Sequence, residues 1–84
     1  MQTINLTSPS IRQLTDKNGN PYFLIQDFET SQTFFCFSGA IPIQQWQILE
    51  TKWETLSELE LEYETNDKGN NRVTHVSFAN DIFI

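Results

Sequence analysis

Cysteine and histidine occur once each in this 84-residue sequence, and glycine and proline only three times each. A lone thiol, Cys36, excludes an intrachain disulfide, and with His75 as the single imidazole there are too few soft ligands for a structural zinc site. No metal and no cofactor are expected. Long apolar runs are missing as well. No stretch approaches the roughly 18 residues that span a bilayer, and Met1-Gln2-Thr3-Ile4-Asn5 lacks the basic and apolar regions of a signal peptide. The expectation is a cytoplasmic protein with no membrane contact. Positive charge is scarce: five Lys and Arg stand against eleven Asp and Glu, for a net charge of −6. Chains that follow a phosphate backbone usually concentrate Lys and Arg on one face, whereas here Arg12, Lys17, Lys52, Lys68 and Arg72 are scattered singly.

What the sequence does hold is apolar mass and neutral polar groups. Eight Ile, seven Leu, seven Phe, two Trp and two Tyr support one modest core, so residues 1–84 read as a single domain. Ser, Thr, Asn and Gln together number 29, well above the charged residues, which gives a surface of neutral hydrogen-bonding groups suited to adaptable contacts.

Residues 4–14 are extended in character and interrupted by Ser8-Pro9-Ser10, which reads as a first strand broken or bent there. Asp16-Lys17-Asn18-Gly19-Asn20-Pro21 is a hairpin turn. Segments 22–28 and 33–38 are aromatic-rich strands flanking a short polar loop. From Pro42 the period changes: Ile43, Trp46, Leu49 and Trp53 recur at helical spacing, predicting one amphipathic helix that ends near Trp53. Leu59, Leu61 and Tyr63 then alternate with Glu58, Glu60, Glu62 and Glu64, a strand with one apolar and one solvated face. After a turn at Lys68-Gly69, residues 72–79 return, with Leu61 opposite Val76, Leu59 opposite Phe78, Tyr63 opposite Thr74 and Glu62 opposite His75. The tail Asn80-Asp81-Ile82-Phe83-Ile84 has the composition of an edge strand.

Five strands with a helix between the third and fourth, together with Phe23-Leu24-Ile25-Gln26-Asp27 in the second strand, resemble the OB-fold. The resemblance implies a mainly β Greek-key barrel with the helix at its base, and an oligomer-binding surface on strands two and three flanked by loops. The basic residues usual on those strands are missing here, and the fourth carries a row of glutamates instead.

The hairpin at 22–38 is the candidate site. Pairing Phe28 with Thr33 puts Phe23, Ile25, Phe34 and Cys36 on one face, and Tyr22, Leu24, Phe28, Phe35 and Phe37 on the other. The first reads as core. The second would present aromatic rings to a ligand, with Tyr22, Phe28, Phe35 and Phe37 as binding residues, though strand aromatics more often serve simple packing. The glutamate row reads as a solvated face, Cys36 as a small buried hydrophobe and His75 as a surface partner of Glu62. No phosphate loop, metal-binding His pair or nucleophile motif occurs, so no catalysis is expected. The favoured reading is a non-catalytic adaptor that contacts a protein partner through the aromatic face. The alternative is a single-stranded nucleic-acid-binding domain with a local basic groove built from Arg12, Lys17, Lys52 and Arg72. Edge pairing or the apolar terminus Ile82, Phe83, Ile84 offers a route to a homodimer, with a monomer as the other expectation.

Overall fold

Two turns of the same construction organise the hairpins. In Asp16-Lys17-Asn18-Gly19-Asn20 the Asp16 carboxylate accepts the N–H groups of Asn18 (2.8 Å) and Asn20 (2.9 Å). The Asn66 amide oxygen does the same for Lys68 (3.0 Å) and Asn70 (2.9 Å). Each turn then needs a left-handed residue to rejoin its strand, and Gly19 (φ +86°) and Gly69 (φ +82°) supply it. The computed structural model describes residues 2–78, so the predicted tail strand with Ile82, Phe83 and Ile84 lies outside the described residues.

These turns link β2 (Ser10–Thr15) to β3 (Pro21–Gln26) and β5 (Glu58–Thr65) to β6 (Asn71–Phe78). With β1 (Gln2–Thr7), β4 (Thr33–Phe37) and the helix α1 (Ile43–Lys52), they make one six-stranded sheet of order β1-β5-β6-β4-β3-β2. All neighbours are antiparallel except β4 and β6, which run parallel. The described residues are thus mainly β with one helix. It departs from the expected five strands, and the sheet is not closed. The cause is local: Pro9 has no N–H to donate and Ser8 sits at φ 50°, so the first strand divides, one half pairing with β5 and the other with β3. The helix therefore follows the fourth strand rather than the third.

The same division has a geometric consequence. In a flat sheet the edge strands β1 and β2 would lie about 24 Å apart, yet only Ser8 and Pro9 separate them in the chain. Three residue steps span at most about 11 Å, so the sheet coils until its two edges converge at that corner. A hydrogen bond from the Ser8 N–H to the Ser57 carbonyl (2.6 Å) holds the corner against the start of β5.

Coiling gives the sheet an inner and an outer face. Leu6, Phe23, Ile25, Phe34, Cys36, Leu59, Leu61, Tyr63, Val73, Val76 and Phe78 are buried inside, and Ile41, Trp46, Leu49 and Leu56 close over them. Phe23 packs on Trp46 (5.0 Å between centroids) and Phe34 meets Tyr63 edge-on (4.8 Å). The helical stripe differs from expectation in one residue. Ile43 is 61% exposed: Gln45 and Trp46 of the same helical turn meet the sheet, and Ile41, just before the helix, fills the core in place of Ile43. Gln45 ties the helix to the sheet: its side-chain oxygen accepts the Val76 N–H at 2.7 Å. The β4–β6 register covers only Phe34 with Asn71 and Phe35 with Arg72, so β6 has run past that neighbour by Val76, and the helix supplies the missing acceptor.

Two registers differ in detail from the sequence reading. In the β3–β4 hairpin Leu24 faces Phe35 rather than Phe37, and Gln26 faces Thr33. The loop is longer because Asp27 organises it: buried itself, Asp27 accepts from the Glu29 N–H (3.2 Å) and the Thr30 hydroxyl (2.7 Å). A shift of two keeps every side chain on its expected face. In β5–β6, Glu62 faces His75 and Leu61 faces Val76 as expected, but a bulge makes Tyr63 face Val73 and leaves Thr74 as the extra residue.

Candidate functional site

Because partners across a sheet point to the same side, the registers order the outer face into rows. Arg12 on β2, Leu24 on β3, Phe35 on β4 and Arg72 on β6 form one row, continued by Glu64 on β5. Leu14, Tyr22 and Phe37 form the neighbouring row. The helix packs on the opposite side, and no described element covers these residues.

Tyr22, Phe35 and Phe37 form a contiguous aromatic patch. Tyr22 lies 5.3 Å from Phe37 and 6.4 Å from Phe35, and the rings of Phe35 and Phe37 are nearly parallel, 11° apart with centroids at 6.4 Å. All three are half-buried, so part of each residue packs against its neighbours and part meets solvent. Arg72 sets its guanidinium carbon 5.3 Å from the Phe37 centroid, a cation–π contact. A pocket of about 280 Å³ opens beside it, lined by Phe35, Phe37, Asn66, Asn70 and Arg72.

The structure joins some predicted site residues and separates others. Tyr22, Phe35 and Phe37 come together. Phe28 does not: it is 69% exposed in the β3–β4 loop, beyond the end of the strand, because Asp27 has already begun the turn. Arg12 and Arg72 flank the patch, and Lys17 sits in the turn that follows β2. Lys52 ends the helix on the other side of the sheet, so the four basic residues do not make one groove. Leu14 and the pair Asn66 and Asn70 are additions that the sequence reading did not single out. The alternation of Arg12 and Leu14 against Ile11 was the available signal for the first, whereas the asparagines reach the patch only through tertiary structure.

The other half of the same face is acidic. Glu58, Glu60, Glu62 and Glu64 project from β5, opposite Thr7, Asn5 and Thr3 of β1 on one side and Ser77, His75 and Arg72 of β6 on the other. His75 Nδ1 lies 3.1 Å from a Glu62 carboxylate oxygen, and among the described residues no other basic side chain comes within ion-pair distance of a carboxylate. Arg12 and Arg72 therefore have no carboxylate partner there, even though Glu64 lies directly across from Arg72. No group of side chains suited to holding a metal ion occurs among the described residues.

Cys36 and His75 lie on opposite faces of the sheet. Cys36 is fully buried, and desolvation pushes its thiol up to about 12, far from the thiolate a nucleophile needs. No helix among the described residues is long and apolar enough to cross a membrane. No known protein family matches the sequence, and neither a curated protein nor a solved structure matches the chain.

Proposed function

We propose that this chain is a non-catalytic binding domain of OB-like architecture that contacts a protein partner through its outer sheet face. The architectural part of the reading takes β1 and β2 as the two halves of one bent strand. The sheet then has five strands, the bent one touching both ends of the order, with α1 between the third and fourth. The convergence of the two edges at Ser8-Pro9 supports it.

One observation carries the functional part: three aromatic rings, Tyr22, Phe35 and Phe37, are gathered on a face that the helix does not cover. Apolar clusters left at the surface mark interaction sites, and aromatic residues are enriched at the centres of protein interfaces. The net charge of −6 and the adjoining glutamate row fit contact with a protein better than contact with a continuous phosphate backbone. The row Arg12, Leu24, Phe35, Arg72 favours a second reading, single-stranded nucleic acid, since stacked bases and flanking phosphates would use the same residues.

Panning a random peptide display library against the wild-type domain and against Phe35→Ser tests the proposal, with anisotropy of labelled oligo-dT and oligo-U at low and physiological salt run alongside. Peptides enriched on the wild type and lost on Phe35→Ser are the expected result. Absence of peptide enrichment, together with salt-sensitive oligonucleotide binding that Phe35→Ser abolishes, would overturn it in favour of the second reading.

A further inference from the structure

We infer that the outer face recognises an extended acidic segment of its partner, in which two carboxylates four residues apart straddle one apolar side chain. The inference rests on the protein-partner reading above and names the chemistry of that partner. Its basis is the placement of two guanidinium groups. Arg12 and Arg72 begin and end a row whose middle is Leu24 and Phe35. Neither is within ion-pair distance of a carboxylate among the described residues, although Glu64 neighbours Arg72 across the strands and the chain carries more than twice as many acidic as basic residues. Arg72 is also held in place by its contact with Phe37, so its donors are partly pre-oriented toward the pocket it shares with Asn66 and Asn70.

Distance fixes the spacing. Three strand-to-strand steps, about 14 Å measured along the sheet, separate the backbones of Arg12 and Arg72, and their long side chains take up the extra spread that the coil gives the outer face. An extended chain advances about 3.4 Å per residue, so residues i and i+4 cover that distance with their side chains on the same side, and residue i+2 falls between them over Leu24 and Phe35. The glutamate row on β5 limits the position: Glu58, Glu60 and Glu62 repel an acidic segment from that half of the face, and Glu64 beside Arg72 marks the boundary at which the segment ends. Sparse carboxylates can meet the two arginines while avoiding the glutamates, which a charge on every residue of a polyanion cannot.

The probe is a fluorescein-labelled nine-residue peptide with glutamates at its third and seventh positions, tryptophan at its fifth and Ser or Thr elsewhere. It is titrated by anisotropy against the wild type, Arg12→Gln, Arg72→Gln and Phe35→Ser. A matched peptide carries Gln for both Glu, and another has the glutamates three residues apart. The expected result is about 3- to 10-fold weaker binding for the Gln peptide, the misplaced peptide and each Arg→Gln variant, with the Glu-over-Gln advantage falling as salt rises. Circular dichroism of the variants checks that they are folded. Equal binding of the Glu and Gln peptides, both lost with Phe35→Ser, would overturn the carboxylate inference and leave the aromatic binding face standing. Failure of every peptide, including those from the display library, would overturn both.

Discussion

The contact between Gln45 and Val76 turns one hydrogen bond into a measure of how the helix is held. The Val76 N–H is buried, and its acceptor is the Gln45 side-chain oxygen at 2.7 Å. Replacing Gln45 by Met keeps the length and apolar stem of the side chain but removes the acceptor, leaving a buried donor unpaired. Such a donor costs about 1–3 kcal/mol. Gln45 is only half-buried, so water reaches the site in part and a value near 1.5 kcal/mol is expected. For a domain of this length that corresponds to about 8 °C in Tm. Gln45→Glu retains an acceptor and should recover most of the loss. Thermal melts followed by circular dichroism give the Tm values, and amide exchange should show the Val76 N–H losing protection in the Met variant. If Gln45→Met melts within a degree of the wild type and Val76 stays protected, the helix is held by Trp46 and Leu49 alone and the reasoning is wrong.

Two further predictions concern stability and reactivity. Gly69→Ala should destabilise by about 1 kcal/mol, because an L side chain at φ +82° is strained even though open space surrounds the position; urea melts that leave the midpoint unchanged would refute it. Cys36 should resist dithionitrobenzoate at pH 8 in the native state and react fully in denaturant. Its folded pKa, raised from 9.0 to about 12, also means that its contribution is intact below pH 9 and is lost as pH climbs from there toward 12, so stability should fall over that window and less so in Cys36→Ala.

The hairpin of β5 and β6 was legible because Glu58, Glu60, Glu62 and Glu64 alternate with apolar residues, and facing is then decided by which side must be buried. The faces of β3 and β4 were legible for the same reason, while their register was not: Asp27 closes the loop with its own side chain and shifts the pairing by two. That capping role is invisible in hydrophobic pattern. Pro9 signalled a break in the first strand, but which partner each half takes depends on the coil of the whole sheet. Periodicity found Trp46 and Leu49 and misplaced Ile43, since the pattern does not say which residues at the start of a helix the sheet beneath it reaches. Within the site, the aromatic patch came from local alternation, whereas the alignment of Arg12 with Arg72 joins residues 60 positions apart and exists only in the assembled sheet.

The division of the first strand also sets the order in which a growing chain can assemble. β2, β3 and β4 form a continuous meander, and each can pair as soon as it is made. β1 precedes them all, yet its partner is β5, with Gln2 facing Tyr63. During synthesis β1 emerges before this meander and stays without its ladder until β5, which begins at Glu58, has been made. Its outward residues Thr3, Asn5 and Thr7 are small and polar. A strand that waits this long is an open template for other chains, and short polar side chains reduce the apolar surface it offers them in the interval.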